Sequence, residues 1–430
     1  MTKQTHPRFY GPTILFFLLV VYGLQMGFAL YSRSVIYPFM IQDLGWTRGQ
    51  IMLGHTASAM LFGLASPITA ALINRIGAKN TFSAGTIIVI FTNTMLAFFA
   101  QSYPMYLFLS FLNGLGMCLS SVLATQTIAI AWFKMRRAFA LGLVLGGGSI
   151  GGFFFPQIVN FIISSSGGVW RLGWASAAGA SLIALILNLV FIRNTPQEMG
   201  QHPDGIDPDI EIPLSSSARK PIYRTTVNWS LKDAIRSKAF WLIVIASSGN
   251  IFLWEIILSQ APFHLQDRGF DPTMAAFFYS LAIGASIIGR FGIAAIGDYF
   301  ETRLLFAAGI ASILTGGILF WFASPNMMFV TYLYPILAGI GFGTAFVCRS
   351  LFVSNYFGAA SFATISGIIA PMQSIITAAA PPFGGYMFDL QGSYFIPMLV
   401  AWIAGGIGIV ASLLSTPPKP HNEPIQTAQL

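Results

Sequence analysis

Residues 38–46, PFMIQDLGW, return at 262–270 as PFHLQDRGF, a shift of 224 positions. Pro, Phe, Gln, Asp and Gly recur identically, and Ile/Leu and Trp/Phe are conservative exchanges. The same shift carries Asn74 of LINRIGAK onto Asp298 of AIGDYFETR, and Trp132-Phe133 onto Tyr356-Phe357. Each nonapeptide sits between two long apolar runs, so the chain divides into two related halves. In a membrane protein, a duplicated half with the substrate site between the copies is the architecture of a secondary transporter.

Composition places the chain in the membrane. It is 55% hydrophobic and 8% charged, against about a quarter charged in soluble domains, and its mean hydropathy is +0.71. Its 430 residues accommodate about 12 spans of roughly 20 residues each. Apolar runs fall near 12–37, 50–73, 81–101, 104–131, 138–163, 172–193, 239–261, 275–297, 303–323, 327–354, 362–387 and 393–414. The expectation is an all-α membrane protein with 12 transmembrane helices in two pseudo-symmetric six-helix halves. Residues 1–193 form the first half, 194–237 a polar linker, 238–415 the second half and 416–430 a tail. Within the linker, 229–238 (WSLKDAIRSK) reads either as a surface-lying amphipathic helix or as a solvated one.

The net charge of +8 is explained by where the cations lie. If both termini are cytoplasmic, sixteen of the 22 lysines and arginines fall on the inner segments. Arg48, Arg171 and Arg268 fall on outer loops, and Arg33, Arg290 and Arg349 inside spans. That asymmetry follows the positive-inside rule and gives no reason to invoke nucleic acid. A multi-pass plasma-membrane protein, in a bacterial inner membrane, is the expected setting. The first apolar run is too long for a cleavable signal peptide and lacks a small-residue cleavage site. Cys118 and Cys348 both lie in apolar runs and read as small core residues. No metal-ligand spacing, phosphate-binding loop or nucleophile–base set is present, so neither an enzyme nor a cofactor is expected. The missing nucleotide motif argues for secondary transport.

Residues 132–142 (WFKMRRAFALG) lead into a glycine-rich run with Gly142, Gly146, Gly147, Gly148, Gly151 and Gly152. This stretch resembles the span 4–5 junction of the major facilitator superfamily, and more narrowly its monocarboxylate transporter and oxalate/formate antiporter branch. Residues 355–367 (NYFGAASFATISG) are similar to that branch's span 10–11 junction, and Tyr31-Ser32 and Gly289-Arg290 with Asp298 fit it too. Two departures stand out. Asn74 occupies a position that usually carries Asp, and span 11 has no lysine, only Gln373. The resemblance implies a carrier of a small carboxylate working as a monomer by alternating access, through proton symport or anion exchange. The missing span-11 lysine tilts the expectation toward a monocarboxylate such as lactate, pyruvate or formate. Arg349 and Arg33 keep an oxalate-type dicarboxylate open, and an efflux carrier for hydrophobic compounds is a third reading.

Charges inside spans are costly, at about 2.5–3.5 kcal/mol on insertion scales, and are therefore the candidate site residues. Arg290 is a permanent cation able to grip a carboxylate through two parallel hydrogen bonds. Its bland alternative is an ion pair with Asp298. Arg349 is either a second anchor, a gate residue or an arginine reaching the interface. Glu255 is the only acid deep in a span. Burial and a neighbouring arginine pull such a group in opposite directions, which suits proton coupling, and a fixed ion pair is the other option. His55 is a second proton-coupling candidate, although a lone histidine more often packs. Tyr22, Tyr31, Tyr332, Asn113 and Gln373 are substrate-contact candidates, with helix packing as the commoner role for each. Arg33, Arg136, Arg137 and Asp298 are gating candidates. For Arg136 and Arg137 the plain role is topology and headgroup contact.

Overall fold

The computed structural model describes residues 9–207 apart from 101 and 121, and 222–418 apart from 226 and 228. All regular elements among them are helices. The inner part of the expected linker and nearly all of the tail lie outside the described residues. So do Lys3, Arg8, Arg219, Lys220 and Lys419 from the charge asymmetry.

Eleven helical segments are long and apolar enough to cross a membrane, and a bent pair makes a twelfth if it is one span. The first segment joins α1 (Gly11–Met26) to α2 (Arg33–Leu44) through a π-helical turn, Gly27–Tyr31. The Ser32 amide and hydroxyl both donate to the Gly27 carbonyl, at 3.0 and 2.8 Å. The bent pair is α3 (Arg48–Leu64) and α4 (Ser66–Ile76), at 48°. Pro67 explains the bend, because it has no N–H to donate back and its ring crowds the preceding turn.

Then follow α5 (Ala78–Phe99), α6 (Tyr103–Leu119), α7 (Val122–Trp132), α8 (Arg137–Ser165) and α9 (Arg171–Phe191). The short α10 (Leu231–Arg236) precedes α11 (Lys238–Asp267), α12 (Pro272–Ile296), α13 (Thr302–Trp321), α14 (Met328–Phe357), α15 (Phe362–Gln391) and α16 (Phe395–Leu414). Within 229–238 the residues Leu231–Arg236 form a six-residue helix.

The duplicated nonapeptide does the same local work twice. Pro38 and Pro262 lie inside α2 and α11, and the motif closes each helix. Gly45 and Gly269 end them with φ of +65° and +96°, a conformation that only glycine adopts without a Cβ penalty. In the first copy Asp43 also accepts the Trp170 indole N–H at 2.7 Å.

Two compact units result, Met1–Lys220 with Ser286–Asp298, and Pro221–Ala285 with Tyr299–Leu430. A division by sequence half would leave Ser286–Asp298 in the second. Its assignment to the first follows from α8, where a Cβ on Gly142 would lie 2.6 Å from the Arg290 carbonyl oxygen and one on Gly146 2.9 Å from the Phe291 ring. The glycine run thus packs backbone against neighbours on both sides, since Gly147 and Gly151 also abut Leu19 and Gly23 of α1. A Cβ at Gly151 would sit 2.2 Å from the Gly23 carbonyl oxygen, which is main chain and has no rotamer to yield. Gly151→Leu should therefore force α1 and α8 apart at a cost of at least about 1–3 kcal/mol. The expected result is a lowered melting temperature and aggregated material on size-exclusion chromatography, and a monodisperse, wild-type-stable variant would refute the close packing.

Candidate functional site

In the first unit the span charges sit in polar networks. Arg33 is 3% exposed and donates through Nε to the Ala29 carbonyl at 2.7 Å, and through Nη1 to Ser58 Oγ at 2.8 Å. Its Nη2 donates to Asn113 Oδ1. Asn113 passes the chain on, its amide nitrogen donating to Thr92 Oγ1 at 2.7 Å and Asn93 Oδ1 at 2.8 Å. Arg33 thereby ties α2 to α3 and α6, and through Asn113 to α5, with neutral groups only. A cation removed from water needs its N–H groups satisfied, and this network meets much of that need. Beside it the Tyr37 hydroxyl lies 3.3 Å from His55 Nδ1. The hydrogen-bonding groups of Asn113 are thus engaged within the protein, as polar glue between helices.

Arg290 is 4% exposed on α12, and its Nη1 donates to the Leu145 carbonyl of α8 at 2.7 Å. Interior α-helical carbonyls already accept one hydrogen bond, so Leu145 is using its second lone pair. Asp298 does not stand merely as a partner for Arg290. Its Oδ1 accepts the Ala138 N–H and its Oδ2 the Phe139 N–H, both at 3.0 Å. The α8 N-cap, Arg136, has no capping side-chain bond of its own, so Asp298 supplies the cap from 160 residues away. A carboxylate there also complements the positive end of the helix dipole. Arg137 is buried at that terminus and Arg136 is exposed. Tyr22, 3% exposed, lies against Gly148, and the half-exposed Tyr31 lies over Gly152.

In the second unit Arg349 on α14 donates to Gln373 Oε1 on α15, and its guanidinium lies 5.2 Å from the Phe346 ring centroid. The one long polar side chain of span 11 is therefore joined to an arginine from span 10. Gln373 is 5% exposed. Glu255 lies midway along α11, partly buried, and no hydrogen bond or ion pair engages its carboxyl among the described residues. Neighbouring Trp254 stacks on Phe342 at 4.1 Å and 7°. Tyr332, 40% exposed, packs edge-on against Phe277 and Phe278. His264 is caged by Phe320, Trp321 and Tyr394. No group of three or more His, Cys, Asp or Glu fit to hold a metal occurs among the described residues.

Asp204 was not among the residues the sequence singled out. It lies in the 3-10 turn Pro203–Gly205 and accepts the Lys134, Met135 and Arg136 backbone N–H groups at 2.8, 2.7 and 3.4 Å. The available signal was the Pro-Asp-Gly turn within a stretch read as linker.

Permanently charged and polar side chains held in apolar spans, on a duplicated all-helical frame, are the features a membrane carrier requires. A sequence model of the Major Facilitator Superfamily matches residues 15–381, and the chain belongs to that superfamily. It is a transporter, not an enzyme. Among curated relatives, monocarboxylate transporter 13 of Rattus norvegicus is 25% identical over 92% of this chain and 86% of its own length. The probable sulfoacetate transporter SauU of Cupriavidus necator is 22% identical over 89% of both, and human monocarboxylate transporter 2 is 23% identical over 76% of this chain and 69% of its own. The resemblance to the monocarboxylate branch therefore stands. Among solved structures, the transporter FucP in the outward conformation superposes with a TM-score of 0.71 at 15% identity, covering 95% of this chain and 99% of that one. The proton:xylose symporter XylE superposes at 0.68, with 15% identity and 94% of both chains covered. At such identities these two carry the fold alone.

Proposed function

We propose that this protein moves a small organic anion, most simply a monocarboxylate of the lactate, pyruvate or formate type, across the membrane by alternating access. The observation that carries the reading is Arg290, a guanidinium buried in a membrane-spanning helix and held in place by the Leu145 carbonyl. A guanidinium stays charged at any physiological pH, so it matches a carboxylate and penalises a cation. Three relatives support the same substrate class, since all are named for transport of a monocarboxylate or of sulfoacetate. Binding an anion beside Arg290 lowers the cost of the buried charge, which favours movement of the loaded carrier over the empty one.

Glu255, apart from the arginines by hydrogen bond, is the proposed proton-coupling group, so proton symport is the first mechanism and anion exchange the alternative. Both termini are proposed to be cytoplasmic, in a bacterial inner membrane, with the monomer as the working unit and no cofactor. A dicarboxylate-type substrate is the second reading, favoured by Arg349 and its Gln373 partner as a second cationic position.

The test is uptake into proteoliposomes of labelled lactate, pyruvate, formate, oxalate and sulfoacetate, each with and without an inward proton gradient and with and without internal anion. Accumulation of a monocarboxylate driven by the gradient is the expected result. Preference for oxalate or sulfoacetate with obligatory internal anion would select the second reading. Movement of a hydrophobic cation, with none of the anions carried, would overturn both.

A further inference from the structure

The α7–α8 junction is held by two carboxylates remote in sequence. Asp204 accepts the N–H groups of Lys134, Met135 and Arg136, and Asp298 those of Ala138 and Phe139. Successive backbone N–H groups directed at one anion form a nest, and the initial N–H groups of a helix have no partner within it. The first carboxylate fixes the approach to α8 and the second caps its first turn.

Asp204 itself is firmly seated. It is the one non-glycine residue with positive φ, +59°, among the described residues, a conformation that disfavours a side chain. Its neighbour Gly205 lies against the Phe9 ring, where a Cβ would come within 2.9 Å. Gln201 Oε1 accepts the Tyr10 N–H at 2.9 Å, and the Trp132 indole donates to the Arg193 carbonyl at 3.1 Å. Phe9 also packs on Trp132 and Phe133, with centroids 6.0 and 5.8 Å away. The segment after α9 is thus anchored to the starts and ends of two other helices before Asp204 reaches the junction. A side chain kept in an unfavourable backbone conformation, at the point where its carboxylate meets three amides, points to a role that glycine cannot fill.

We propose that Asp204 is a positioning residue of the inner gate: it pre-organises residues 134–136 so that the α8 N-terminus is a fixed target which Asp298 grips in one state of the cycle and releases in another. The inference rests on the alternating-access reading, in which the Asp298 cap must break once per turnover. Without Asp204 the junction has several conformations, and Asp298 must order it anew each time.

A double-mutant cycle with Asp204→Asn and Asp298→Asn tests this, measuring carboxylate uptake in proteoliposomes and maleimide labelling of Phe139→Cys in each background. Losing the charged acceptor of Asp204 is expected to lower Vmax about tenfold with KM little changed, because bonds to a charged acceptor are the strong ones. Labelling at position 139 should quicken. Asp204→Glu should recover part of the rate, which separates loss of the carboxylate from misfolding, and Asp204→Gly, which relieves the backbone, should not. The double variant should be no slower than Asp298→Asn alone. Multiplying effects, or wild-type transport by Asp204→Asn while Asp298→Asn is slowed, would overturn the role of Asp204 only. Wild-type transport by Asp298→Asn would remove the gate and this proposal with it.

Discussion

Replacing Arg290 by lysine is expected to lower kcat/KM for the transported carboxylate by about a hundredfold, roughly 2.7 kcal/mol of lost stabilisation at the translocation barrier. The charge survives the exchange but the geometry does not. A guanidinium that donates to the Leu145 carbonyl is planar, and its paired N–H donors match both oxygens of a carboxylate. An ammonium is a point charge on a flexible stem, and in the same place it must choose between the carbonyl and the substrate. If Arg290 serves only to brace α12 against α8, lysine can reach the carbonyl and transport should be nearly intact. Initial-rate uptake across a substrate concentration series, on a variant first shown to melt near the wild-type temperature, separates these cases. Near-normal kcat/KM would sink the anchor.

How much of this was legible in the sequence differs between frame and site. The repeat at 38–46 and 262–270, the apolar runs and the glycine cluster of α8 are local or periodic signals. They carry the twelve-helix architecture because a membrane leaves a backbone few options: each span must satisfy its own hydrogen bonds. The departures occurred where a local event interrupts a periodic one. The π turn at Gly27–Tyr31 and the bend before Pro67 alter a span without altering its hydropathy.

The charged positions were legible as anomalies but not as partnerships. Asn113 and Arg33 are 80 residues apart and read in sequence as a substrate contact and a gate, yet they share one network. The Gln373–Arg349 bond joins helices whose facing sides no hydropathy pattern specifies. In sequence Asp298 reads as a gating candidate, with an ion pair to Arg290, eight residues away on nearly the same helical face, as its bland alternative. Its capping of α8 depends on a contact 160 residues distant. In sequence Asp204 is an ordinary acid in a polar segment. Only the three amides converging on it distinguish it.

Glu255→Gln is expected to remove the proton gradient as a driving force while leaving exchange of the anion intact. Glu255 is the only acid placed deep within a span, and its carboxyl has no hydrogen bond or ion pair among the described residues. An ionised carboxylate in such surroundings carries a large desolvation cost, whereas the protonated acid carries the lesser cost of a neutral polar group. A carrier that must pass through a closed state therefore moves more readily with this site protonated, and that preference couples the proton to the turnover. Glutamine resembles the protonated acid in shape and charge, so the variant should cycle without waiting for a proton. In proteoliposomes, uphill accumulation under an inward proton gradient should fall to equilibration, and counterflow of labelled against unlabelled substrate should continue at a rate within a few-fold of wild type. The wild-type rate should fall as the pH on both sides is raised, and the variant should lose that dependence. Retained accumulation by Glu255→Gln would assign coupling elsewhere, with His55 beside Tyr37 the next group to replace. Loss of counterflow together with accumulation would instead make Glu255 part of the translocation path itself.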